Sequence, residues 1–267
     1  MYSVRLLCVE QGVRRTPVLL LPKGPGMREP RKTAIVIGAL FLLTHVTAIA
    51  AVALYAPVFA DPEYVLGDAA GGGVLLGGLL DVVLALAVVG TGVALYPVLR
   101  RQNEGIALGY VALRTLEAGV ILVGVVTILG VLSLQDTAAA SGDASLVAAA
   151  GALVAAHNWT FLVGPGLICG TNTVLAAYLM YRSGLVPRFI AVLGLVGGPL
   201  IFAANTGVMF GVFDQVSPWT GLCVIPIFAW EICLAVYLLA KGFRPAALAR
   251  LAGDPAEAAA PRIPAGV

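Results

Sequence analysis

Six ionisable side chains stand where the chain is otherwise apolar: His45, Asp81, Arg114, Glu117, His157 and Glu231. A charge held at the centre of a bilayer costs about 2.5–3.5 kcal/mol on insertion scales, so each needs a partner or a purpose. Arg114 and Glu117 are three apart and share a helix face, which Tyr110 extends by one turn. Asn158 follows His157 and adds an amide at the same depth. Arg114 keeps its charge at any pH, whereas Asp81, Glu117 and Glu231 supply three carboxylates. If all face inward together, charge counting requires a protonated carboxyl, a charged histidine or a bound cation.

Four readings fit this set. Arg114 with one or two carboxylates locks a helix bundle as a purely structural device. Alternatively, the polar residues form a proton or ion pathway, or a pocket for a polar ligand. A metal site from His45, His157 and carboxylates has suitable ligand types but draws them from separate segments. Bis-histidine haem ligation by His45 and His157 would place carboxylates in a haem pocket, a poor environment for it. No cofactor is expected. Cys8, Cys169, Cys223 and Cys233 form no CxxC pair and read as free thiols behaving as small hydrophobes.

The elements that position these residues follow from composition. The 267 residues are 60% hydrophobic and only 11% charged, against about 25% charged in a soluble domain. Six apolar segments run roughly over 34–56, 74–99, 106–134, 146–181, 187–210 and 219–240. Each reaches the roughly 20 residues a helix needs to cross the hydrocarbon, and each must satisfy its own backbone there. The fourth is too long for one straight span, so Leu146–Ala156 either lies along the interface or lengthens a tilted helix. Gly164-Pro165-Gly166, Pro199 and Pro226 interrupt spans four, five and six. At this stage His45, Glu117, His157 and Glu231 fall in one middle slab, with Arg114 nearer the basic side and Asp81 nearer the acidic side.

Loop charges alternate. Arg28, Arg31 and Lys32 precede the first span, and Asp61, Glu63 and Asp68 follow it. Arg100 and Arg101 come next, then Asp136 and Asp143, then Arg182 and Arg188, then Asp214, and finally Lys241, Arg244, Arg250 and Arg262. The positive-inside rule places the basic side, with both termini, in the cytoplasm. Tyr55, Tyr96, Tyr181 and Trp219 read as interfacial anchors near span ends, with Trp159 deeper. Residues 1–30 are expected to be a disordered tail with the true start near Met27, residues 31–243 a single transmembrane domain, and residues 244–267 a disordered tail. Glycine pairs such as Gly166/Gly170 and Gly194/Gly198 have the spacing that permits close helix packing.

No phosphate loop, nucleophile elbow, HExxH or nucleotide fingerprint occurs in the chain. The basic residues near the N-terminus suit orientation and anionic lipid rather than nucleic acid. Expected partners are membrane lipids, a second copy of the chain, and a small-molecule or ion ligand of unassigned identity.

Several stretches match a known pattern in order. They are Arg31-Lys32-Thr33-Ala34, Ala94-Leu95-Tyr96-Pro97-Val98-Leu99, and Asn103-Glu104-Gly105-Ile106-Ala107-Leu108-Gly109-Tyr110. Arg114 and Glu117 follow, then His157-Asn158-Trp159-Thr160-Phe161 and Tyr181-Arg182-Ser183-Gly184-Leu185-Val186-Pro187-Arg188, then Glu231 and Lys241-Gly242-Phe243. Together they resemble the bacterial membrane-protein family known as domain of unknown function 4386, from about Arg31 to Phe243. The resemblance implies a multi-helical membrane fold and no activity, and it agrees with a start near Met27. That family often carries an acid where this chain has Asn158, which weakens a catalytic role at that position.

The resulting expectation is an all-α integral membrane protein, a bundle of six transmembrane helices in a bacterial plasma membrane. It is expected to be transporter-like, ligand-binding or accessory. The alternative is an intramembrane enzyme, metal-dependent or not, using His157 with Asp81 or Glu231.

Overall fold

The computed structural model describes residues 30–67, 71–141, 143 and 145–253. The expectations about the N-terminal tail, Cys8, Asp68 and Arg262 fall outside these residues.

The described chain is helical, and six of its helices are long and apolar enough to cross a membrane. Helix α1 spans Pro30–Ala60, α2 Gly72–Leu99 and α3 Glu104–Ser141. The fourth span is continuous from Leu146 to Ser183. It consists of α4 (Leu146–Phe161), a π-helical stretch (Leu162–Ile168) and α5 (Cys169–Ser183). Helices α6 (Arg188–Met209) and α7 (Pro218–Ala240) complete the spans. Leu146–Ala156 therefore lengthens the fourth span. At 1.5 Å per residue its 38 residues reach about 57 Å, nearly twice the hydrocarbon thickness.

The π-helical stretch falls on Gly164-Pro165-Gly166. Proline cannot donate to the helix ladder, and a widened turn absorbs the missing bond without ending the helix.

Consecutive spans pack side by side, and α7 returns to α1, so the bundle closes on itself. At that seam Arg31 donates from Nη1 to the carbonyl of Leu238 at 3.0 Å and from Nη2 to that of Leu239 at 2.6 Å. These carbonyls lie in the last turn of α7, where Leu238 also accepts the Gly242 backbone N–H at 3.1 Å, and a cation there complements the helix dipole.

The basic loops collect at the end bearing the seam and the acidic loops at the other. Among the described residues, two of the three buried apolar clusters divide the same way, and the third, with Leu84, Val88 and Ile121, joins α2 to α3. One buried cluster, including Ile37, Phe41, Leu99, Tyr110, Met180, Trp230 and Leu234, fills the basic end and draws on α1, α2, α3, α5, α6 and α7. A second, including Tyr55, Tyr64, Val74, Ile128 and Ala150, fills the acidic end and takes nothing from α6 or α7. The bundle is thus packed tightly at the basic end, while α7 separates from α1 toward the acidic end.

Close backbone approach holds α5, α6 and α7 together. A Cβ on Gly170 would stand 2.8 Å from the Gly198 carbonyl oxygen, and one on Gly198 would stand 2.6 Å from that of Gly170. Of the small-residue pairs, Gly166/Gly170 and Gly194/Gly198 therefore do bring helices together, whereas Gly73 and Gly105 face looser surroundings.

Two expectations are corrected. Within the segment from residue 244 expected to be disordered, Pro245–Ala252 forms α8, with Ala247 and Ala249 buried; residues 254–267 lie outside the described residues. Arg250 Nη2 donates to the Ser183 carbonyl at 3.1 Å, and the Arg244 backbone N–H donates to Leu185 at 2.9 Å, so α8 is fastened under the α5–α6 turn. Tyr55 is not an interfacial anchor. It is 1% exposed and packs inside the acidic-end cluster.

Outside the membrane at the acidic end, Asp143 accepts the Ser145 backbone N–H at 2.9 Å, just before α4. That hydrogen bond holds its carboxyl below the ordinary carboxylate range.

Candidate functional site

Arg114 anchors the first of two polar groups. Its α3 position places the guanidinium about 15 Å along the helix from the basic end, and the side chain is 3% exposed. All three nitrogens are used. Nε donates to Thr91 Oγ1 at 3.1 Å, and Nη1 donates to Glu117 Oε2 at 3.0 Å. Nη2 lies 3.7 Å from Glu231 Oε1 on α7. The guanidinium also sits near the Phe41 and Tyr110 rings, 5.5 and 5.9 Å from their centroids, within the range of cation–π attraction.

Glu117 Oε2 also accepts Asn172 Nδ2 of α5 at 2.7 Å, which binds the fourth span to the same carboxylate. His45 completes the group. Its Nδ1 is 2.9 Å from the Phe41 carbonyl, so that nitrogen carries the hydrogen. Its Nε2 then faces Glu231 Oε2 at 3.4 Å. Glu231 thus lies between Arg114 and His45, and Glu117 between Arg114 and Asn172.

The second group lies toward the acidic end. Tyr55 on α1 donates its hydroxyl to Asp81 Oδ2 on α2 at 2.9 Å. The His157 ring of α4 meets the rings of Tyr55 and Phe59, with centroids 5.5 Å from each. His157 Nδ1 is 3.0 Å from the Gly124 carbonyl of α3 and donates to it.

One cavity of about 470 Å³ joins the two groups. Arg114, Glu117, Glu231 and His45 line one part of it, and Asp81, Tyr55 and His157 another. It continues past Pro165 and Gly166 of the π-helical stretch to Gln215–Ser217 in the α6–α7 loop. Most of its surface is apolar. Ile49 and Val52 of α1 and Val224 and Phe228 of α7 line it and are also exposed on the outside of the bundle. The cavity therefore opens sideways where α1 and α7 separate. Its volume is within the roughly 300–1,000 Å³ of ordinary ligand sites.

Of the residues singled out by sequence, His45, Asp81, Arg114, Glu117, His157 and Glu231 all line this space. The middle slab is better described as two groups at successive depths. Tyr110 packs beside Arg114 in the basic-end core and does not line the cavity. Asn158 is exposed on the outer surface of α4 beside the exposed Trp159, and it too lies outside the cavity lining. Among the described residues, no three His, Cys, Asp or Glu side chains are gathered closely enough to hold a metal ion. Cys169, Cys223 and Cys233 are free thiols.

Sequence reasoning passed over Thr91, Asn172 and the polar role of Tyr55. Asn172 lies between Thr171 and Thr173, a polar run inside an apolar span. That run is the signal that could have drawn it into the set, because an amide facing lipid has no partner.

No curated protein and no solved structure matches the chain. A family model described as Domain of unknown function (DUF4386) matches residues 36–242.

Proposed function

Since the chain belongs to the DUF4386 family, whose description names no reaction, we propose from its site that it is a non-enzymatic, transporter-like or accessory membrane protein that binds a small amphipathic molecule in the α1–α7 cavity. The single observation that carries this reading is one apolar-walled cavity of about 470 Å³ reached from the side and ending on buried ionisable groups. Apolar walls with a few convergent polar groups are the usual make-up of a ligand site. The proposal extends to location: a bacterial plasma membrane, with both termini cytoplasmic. Support for the orientation comes from the basic loops sharing one end of the bundle.

Ligand binding is favoured over intramembrane catalysis by how the polar atoms are engaged. His157 Nδ1 is held by a backbone carbonyl, and Asp81 accepts from a tyrosine rather than from His157. Among the described residues, no hydroxyl or thiol is hydrogen-bonded to the ring of either histidine.

The test is thermal unfolding of the purified protein in nanodiscs against neutral, cationic and anionic amphiphiles. A molecule that binds only the folded state raises its stability by mass action. At least one class should raise the melting temperature of the wild type and leave Gly221→Phe unmoved. Gly221 lines the cavity, and a Cβ placed there meets nothing within 4 Å, so the backbone tolerates a side chain at the entrance. If no class shifts the wild type, the reading fails.

A further inference from the structure

We infer that the ligand of this cavity is an organic cation with an apolar body, its charge seated against Asp81. The inference rests on the ligand-binding reading above and specifies the chemistry of the same site.

Charge accounting locates the demand. Glu117 is paired with Arg114 at 3.0 Å, and Glu231 lies 3.7 Å from the same guanidinium and 3.4 Å from His45. Asp81 is what remains. It takes one hydrogen bond from Tyr55, and no ion pair reaches it among the described residues. A carboxylate lining an apolar cavity without a counter-charge attracts a cation strongly, because the low dielectric that penalises it alone strengthens the pairing.

The surroundings suit an organic cation rather than a bare metal ion. A metal ion needs several oxygen ligands, whereas Asp81 is flanked by the aromatic rings of Tyr55 and His157. An acid set among aromatic rings and apolar walls suits a charge carried on an apolar organic body. The exposed apolar lining at Val52 and Val224 gives the ligand body a route from the hydrocarbon side.

A proton is the natural competitor. The titratable groups facing Asp81 are Tyr55 of α1 and His157 of α4, while α3 contributes only the Gly124 carbonyl through His157. Protonating Asp81 removes the attraction. Acidification should therefore release the ligand.

The experiment compares tetraphenylphosphonium with tetraphenylborate, which share shape and differ in sign. Binding to the full chain in nanodiscs is measured after subtraction of empty discs. The phosphonium should bind at least about ten-fold more tightly than the borate. Asp81→Asn should weaken it about ten-fold or more, and acidification should weaken it as well. Asp81→Asn keeps an oxygen for the Tyr55 hydroxyl, and a neutral amphiphile that still stabilises this variant confirms that it is folded. If the borate or a neutral probe binds as well as the phosphonium, or Asp81→Asn leaves phosphonium binding unchanged, the cation inference fails while the ligand site stands. If nothing binds, both fall.

Discussion

Asn172 donates its side-chain amide to Glu117 at 2.7 Å, on the same carboxylate oxygen that receives Arg114. The carboxylate thus holds α5 to α3 as well as balancing the guanidinium. Replacing Asn172 by leucine should cost about 1.5–3 kcal/mol, the range for a hydrogen bond to a charged group. Thermal or denaturant unfolding in a fixed detergent would measure it. An Asn172→Asp variant should fare worse, because it sets a second carboxylate against the first.

Arg114→Met alone leaves Glu117 buried without its cation and should destabilise the bundle by about 3–5 kcal/mol. The double variant Arg114→Met/Glu117→Leu removes both charges and should recover part of that loss. Comparing the single and double variants in one unfolding series separates the cost of an orphaned charge from the worth of the pair. A double variant that is stable yet loses ligand binding would assign the pair to function. One that is stable and still binds would make it a structural lock.

Backbone proximity makes a contrasting pair of glycine substitutions informative. A Cβ on Gly197 would stand 2.5 Å from the Ile227 backbone nitrogen, while one on Gly119 meets nothing. Gly197→Ala should push α6 from α7 and cost about 1–3 kcal/mol, whereas Gly119→Ala should lie within about 0.5 kcal/mol of wild type. Equal effects would mean that α6 and α7 are not in backbone contact.

In the loop before α4, the Asp143 carboxyl should titrate below a free aspartate because Ser145 stabilises its ionised form. A depressed folded-state value adds stability that is present above the unfolded pKa and lost as pH falls through the folded one. The side chain is exposed, so the effect should be confined to fraying of the first turn of α4. A carbonyl-detected NMR titration of Asp143, repeated in Ser145→Pro, would show the value rise when the donor is removed.

Much of this architecture was legible in the residues. Span limits lie within about four positions of the helix ends, except that α3 runs on to Ser141, seven residues past the expected limit. Arg114 and Glu117 could be paired from their three-residue spacing alone. What stayed hidden was rotation about each helix axis. A span apolar on every side carries little trace of which face meets its neighbours. Asn158 therefore joined the candidate set although it faces outward, while Asn172, fourteen positions later by the sequence numbering, was passed over although it points at Glu117. Tyr55 was misplaced for a related reason. Its position near a span end suggests an anchor, and only the approach of α2 reveals the hydroxyl meeting Asp81.

The closed circuit of spans also bears on how the protein is made. Arg114 and Glu117 emerge on one helix and can enter the membrane already neutralised, with no later partner required. Glu231, by contrast, lies in the last span, as do the carbonyls that Arg31 grips. His45 and Arg31 therefore wait through the synthesis of five further segments before their partners arrive. The sideways cavity between α1 and α7 has no second wall until then. A chain truncated before α7 should accordingly be inserted but left incomplete, which makes the final helix the step at which assembly can be inspected by the cell.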